Sequence, residues 1–253
     1  MNYFVEKGSV VREIWGQGDT ILLIFAGAAA EFALNKAVDW LYFTGRLPAD
    51  PLGRLFSTVT YARDIVFSAE NKAESAIDRI SSIHSAVEKS RERKIPDWAY
   101  RDVLFMLIDY SIRSYEVFGH SMDLAEKKEV FEVFLRVGSR MQINGLPRDY
   151  DSWVDMRENH IINNLENSYL TGNLFKQYRK HLGPGRYLLL KEAQKLVVPI
   201  QVRKMLGFSK RSTLSPFLPV YRSLKGTKWE WPLKKLILPE EYVDRIKALD
   251  IPN

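Results

Sequence analysis

The segment from Pro51 to Val87 reads PLGRLFSTVTYARDIVFSAENKAESAIDRISSIHSAV, and its spacing decides the fold class. In the first half Leu52, Phe56, Val59 and Phe67, flanked by Leu55, Ala62 and Val66, recur at three- and four-residue steps, which predicts a helix with one buried side. In the second half Ile77, Ile80, His84 and Val87 fall on one stripe of a further helix, so an imidazole stands where a core side chain is expected. Arg54, Thr58 and His84 are the polar residues that interrupt these apolar faces.

A histidine on such a stripe has two readings. It is either a neutral core imidazole with both ring nitrogens hydrogen-bonded, or an axial ligand with one nitrogen on a metal or haem iron and the other held by an acceptor. Spacing alone does not choose.

Upstream, Ile21 to Ala30 is the most apolar run, but Glu31, Lys36 and Asp39 cut it short of the ~20 residues a membrane-spanning helix needs. Its small residues, Ala26 to Ala30, predict a helix approached closely by another element; ordinary helix packing is expected, with room for a flat cofactor as the alternative. Trp40, Tyr42 and Phe43 follow, before Gly45 and Pro48. Such aromatics either cap the core, as expected here, or wall an apolar cavity.

Downstream, Asp97 is a candidate N-cap and Gly119 a stop for WAYRDVLFMLIDYSIRSYEVF. Asp109 lies inside that helix and must be paired, because a lone buried carboxylate costs several kcal/mol. It is either an acceptor orienting His84 or Arg54, or a structural ion pair between helices. Asp123 and Glu126 have capping-box spacing, Asp151 is placed to cap the next helix, and Pro199 is expected to kink or end a later one. His160 sits among polar residues and reads as an exposed or hydrogen-bonded surface histidine, second to His84 as a ligand; His120 and His181 read as loop residues, the latter just before Gly183-Pro184-Gly185.

Alternating strand patterns never persist, so the expectation is all-α: a single compact multi-helix domain with a pocket between the helices carrying Arg54, His84 and Asp109. Within it, residues 1–177 form a helical core and 178–253 a basic helical extension packed on the same domain.

With 253 residues, 46% hydrophobic and 27% charged, the chain has ample material for a core. The absence of cysteine excludes disulfides, thiolate haem ligation and cysteine-held clusters. None of the four histidines lies three or four residues from another, which rules out an HExxH-type site. The formal charge of +6 arises mainly after Tyr178. No nucleic-acid motif accompanies it, so no nucleic-acid partner is expected. WEWPLKKLILP, beginning at Trp229, suits peripheral contact with a membrane interface or packing on the body. The N-terminus lacks a basic start and long apolar run, and a cytoplasmic location is expected.

The run PLGRL, then Thr58, Tyr61 and Phe67, then RISSIHSAV, DVLFMLIDYSIRSYEVFG and NGLP resemble, in order, the rubber oxygenase and MpaB-type oxygenase family, which includes latex clearing proteins. The resemblance covers about residues 13 to 170. It implies a helical haem b protein, and an oxygenase or oxidase using dioxygen on an apolar small molecule of the isoprenoid kind. Carried over residue by residue, His84 matches the proximal haem-iron ligand, and Arg54 and Thr58 match distal-side residues of the latex clearing branch. Arg54 then either balances anionic charge on the distal side or pairs with a haem propionate, while Thr58 donates a hydrogen bond to dioxygen. Asp109 enters this cofactor set through its helix.

Two departures accompany the resemblance. Ser57 stands where that branch has a distal lysine, and the place of a His-Pro pair common in relatives falls near Leu34-Asn35. The first motivates an alternative, a non-catalytic haem- or lipid-binding protein that retains the fold. No general base is evident; Asp39 and Glu31 are weak candidates.

Overall fold

Some helix starts are set by small polar residues, as at Ser9, whose side chain accepts from the Val11 amide at 3.1 Å and opens α1 (Val10–Trp15). The computed structural model describes residues 2–43, 51–225, 227 and 250, and for 51–57 only the helical backbone. The chain continues through α2 (Gly18–Phe32), α3 (Asp39–Phe43), α4 (Pro51–Phe67), α5 (Glu70–Arg91) and α6 (Asp97–Phe118). Then come α7 (Leu124–Arg140), α8 (Tyr150–Asn163), α9 (Tyr169–Val197), α10 (Ile200–Met205) and α11 (Leu218–Leu224). The fold is all-α. Among the described residues, extended pairing is limited to isolated bridges between Tyr3 and Ala69 and between Asn35 and Leu165.

The Asp123–Glu126 capping box forms with reciprocal bonds of 2.9 Å. Two other caps shift. Asp149, not Asp151, caps α8 by accepting from the Ser152 amide at 2.8 Å, and Pro96 holds the N-cap of α6 with Asp97 in the first turn. Pro199 separates α9 from α10, because it has no amide to continue the helix. Gly183-Pro184-Gly185 is a kink within α9 rather than a loop: Gly183 takes φ 73°, a left-handed value that a side chain would oppose. His181 is therefore helical, and exposed. The same helix carries the chain past Tyr178, where the basic composition begins.

The core lies where α2 crosses α6, with α1, α7 and α9 packed around them. Gly27 permits that crossing. A Cβ built there would overlap the Tyr110 ring and approach Val197 to 2.9 Å. Gly27→Ala is thus expected to destabilise the protein by about 1–3 kcal/mol despite alanine's better helix propensity. Gly172→Ala in α9, where a Cβ meets nothing within 4 Å, should instead stabilise by about 0.5–1 kcal/mol. Urea denaturation of the two variants checks the opposite signs.

Candidate functional site

The stripe Ile77, Ile80, His84 and Val87 is deeply buried only at Ile77; from Ile80 onward it turns into a large cavity. That cavity has a volume of about 1420 Å³, beyond the ~300–1,000 Å³ usual for small-ligand sites. Ala26, Ala28 and Ala29 of α2 line it, as do Tyr61, Ala62, Ile65 and Val66 of α4 and Tyr100, Val103, Leu104 and Leu107 of α6. Leu189, Leu190 and Ala193 of α9 contribute another wall. The small residues of α2 give the close packing expected at Gly27, which admits Tyr110, and Ala26, Ala28 and Ala29 line the cavity.

His84 is half-buried on this wall, its ring 5.2 Å from that of Tyr100 and inclined at 58°. Thr58 lines the same cavity, so the structure brings His84 and Thr58 to one space. Arg54 lies one turn before Thr58 in α4, but its side chain, like that of Ser57, is outside the described residues. Trp40 is buried against Ala37 and Ala99, the core cap expected, and also borders the cavity, whereas Phe43 is largely exposed and lines only the cavity. They are held there by Arg91, which stacks 4.1 Å from the centre of Trp40 and 5.3 Å from that of Phe43 while bonding Asp39 at 2.6 Å. Tyr42 points away, donating to Asn173 at 3.0 Å.

Asp109 is not on the cavity wall. Its carboxylate accepts from Arg113 at 2.6 Å and Arg157 at 2.9 Å, the structural ion pair rather than a contact orienting His84. Arg157 also donates to both oxygens of Glu31, at 2.5 and 2.7 Å, and the Tyr110 hydroxyl donates to Glu31 at 2.8 Å. Glu31 and Asp39 are thus both engaged by arginines. Burial raises the Glu31 pKa, but the Arg157 charge and hydrogen bonds outweigh it and hold the carboxyl well below its usual range.

His160 belongs to this network, contrary to its surface reading. It is 3% exposed, with Nε2 3.1 Å from Glu31 and Nδ1 2.6 Å from Asp102. Asp102 accepts in addition from Asn164 at 2.9 Å. Three carboxylates, Glu31, Asp102 and Asp109, face Arg157, Arg113 and His160. The charges balance only when the imidazole is protonated. Burial lowers the His160 pKa, yet hydrogen bonds and charge from Asp102 and Glu31 reverse this and raise it above 6.5.

A raised histidine pKa stabilises the fold fully below the unfolded value, and that contribution is lost as pH rises through the folded one. Stability should therefore fall with increasing pH above about 6.5, and His160→Gln should flatten this slope in urea titrations at fixed ionic strength. His120, also missed as a bonded group, lies 2.9 Å from Glu126 and 3.2 Å from the Tyr115 hydroxyl. Among the described residues no cluster of three or more His, Asp or Glu is arranged around a metal position. Nor is any described helix long and apolar enough to cross a membrane.

The fold and site define an all-α protein with the His84 imidazole on the wall of a large, mainly apolar cavity that Thr58 also lines. The sequence model of the family described as ER-bound oxygenase mpaB/B'/rubber oxygenase, catalytic domain, matches residues 13–226, and the chain belongs to that family. The match extends past the motifs to include the kinked α9, α10 and α11. No curated protein matches the chain.

Proposed function

We propose that the cavity holds haem b, with His84 supplying the iron ligand, and that the protein is an oxygenase or oxidase of an apolar, unsaturated small molecule. The observation that carries this reading is the position of His84: an imidazole on an apolar cavity wall, in a chain whose family is an oxygenase catalytic domain. An imidazole nitrogen suits iron, and a dry pocket suits a porphyrin. Bound haem supplies the dioxygen chemistry. The chain's own part is to bind, orient and exclude water: the alanines of α2 and the aliphatic walls of α4, α6 and α9 seat apolar surface, and Thr58 lines the same space. Arg54 retains its two exclusive roles, and Arg186, also on the wall, is a further cation suited to a propionate. Asp109 supports the cavity through α6 rather than touching its contents.

In this reading dioxygen and an apolar small molecule are the partners, and the basic residues after Tyr178 offer peripheral contact with a membrane. A second reading, a haem- or lipid-binding protein without oxygen chemistry, is favoured by Ser57 at the distal lysine position. Dioxygen uptake by haem-loaded protein separates them. Uptake should require a short isoprenoid and yield carbonyl products, with none from a saturated chain of equal length. Haem bound without substrate-dependent uptake would establish the second reading.

A further inference from the structure

His84 packs against a neighbour whose own anchor lies one turn further along α5. Tyr100, near the start of α6, packs its ring against the imidazole at 5.2 Å and also lines the cavity. Its hydroxyl donates to Glu88 Oε1 at 3.2 Å. Glu88 lies four residues after His84, on the same face of α5, so it is placed to fix whatever packs beside the imidazole. The same Glu88 oxygen accepts from the Ile95 amide at 2.8 Å, in the turn between α5 and α6. One carboxylate thus ties together the helix carrying His84, the turn after it and the ring against His84.

We infer that Tyr100 is a positioning residue that sets the plane of the His84 ring, and that Glu88 keeps Tyr100 in that place. This rests on the proposed role of His84 as the haem ligand. A ligand imidazole rotating freely about its χ angles loses orientation on binding, and a flat ring packed at a fixed tilt removes that freedom beforehand. Tyr100 needs no contact with the cofactor to act in this way. Its ring supplies the surface and its hydroxyl supplies the register.

The consequence is a graded series. Tyr100→Leu removes the ring, Tyr100→Phe keeps the ring without its anchor, and Glu88→Gln keeps an acceptor for both donors. Haem dissociation from loaded protein, followed by transfer to an excess of a haem-scavenging apoprotein, should accelerate on the order of ten- to hundred-fold in Tyr100→Leu, less in Tyr100→Phe and least in Glu88→Gln. In haem-free protein, the His84 ring protons seen by NMR should lose their ring-current shift in Tyr100→Leu but keep it in Glu88→Gln. Urea midpoints measured alongside identify loss by unfolding, and the NMR shift in the folded variant still tests the packing. Unchanged dissociation and unchanged ring shifts in a folded Tyr100→Leu would overturn the inference. Failure of the wild-type protein to bind haem would instead overturn the ligand assignment, a different result read from a different sample.

Discussion

Arg157→Met should cost about 3–5 kcal/mol of stability. The arginine is buried with its guanidinium shared between Glu31 and Asp109, which belong to α2 and α6, the two helices at the centre of the core. Removing it leaves Glu31, which is fully buried, with a negative charge and only the Tyr110 hydroxyl and His160 to compensate. Methionine fills similar volume, so the loss measures charge rather than a cavity. Equilibrium urea unfolding of haem-free protein gives the magnitude. The double variant Glu31→Gln/Arg157→Met should recover part of the loss, because the uncompensated charge goes with its partner. The acid side has its own sign. Since the Glu31 pKa is depressed on folding, its contribution is present above 4.5 and disappears as pH falls through the folded value.

The second large effect is on the cofactor. His84→Ala should leave the fold nearly intact, at a cost of about 1 kcal/mol, because the side chain is half-buried and faces a cavity rather than packed core. It should nevertheless abolish the Soret band of protein incubated with stoichiometric haem. Added imidazole should restore part of that band, since the cavity that remains can admit a free ligand. Absorption titration of wild type and variant side by side reads both outcomes.

The helical period carried most of the fold. Ile77, Ile80, His84 and Val87 share a face in the structure as their spacing predicts. What periodicity could not show was the direction of each stripe, toward packed side chains or toward space. Phe43 was therefore expected in the core but lines the cavity, while Trp40 does both, since an aromatic suits either. His160 escaped for a related reason. Its neighbours along the chain are polar, and its burial arises from Glu31 and Asp102 on other helices, at sequence separations no local window reaches. Arg157, three residues before it on the same helix, was the available signal: an arginine and an imidazole one turn apart form a single patch. Asp109 was legible as a group needing a partner, but not which partner, because that choice depends on how α8 lies against α6.

The central claim is that His84 ligates the iron of a haem in the apolar cavity, and its most direct measurement is the haem content and absorption spectrum of protein produced with ample iron. The expected result is stoichiometric haem with a Soret band that depends on His84. A colourless protein that also takes up no haem when titrated with it would contradict the claim.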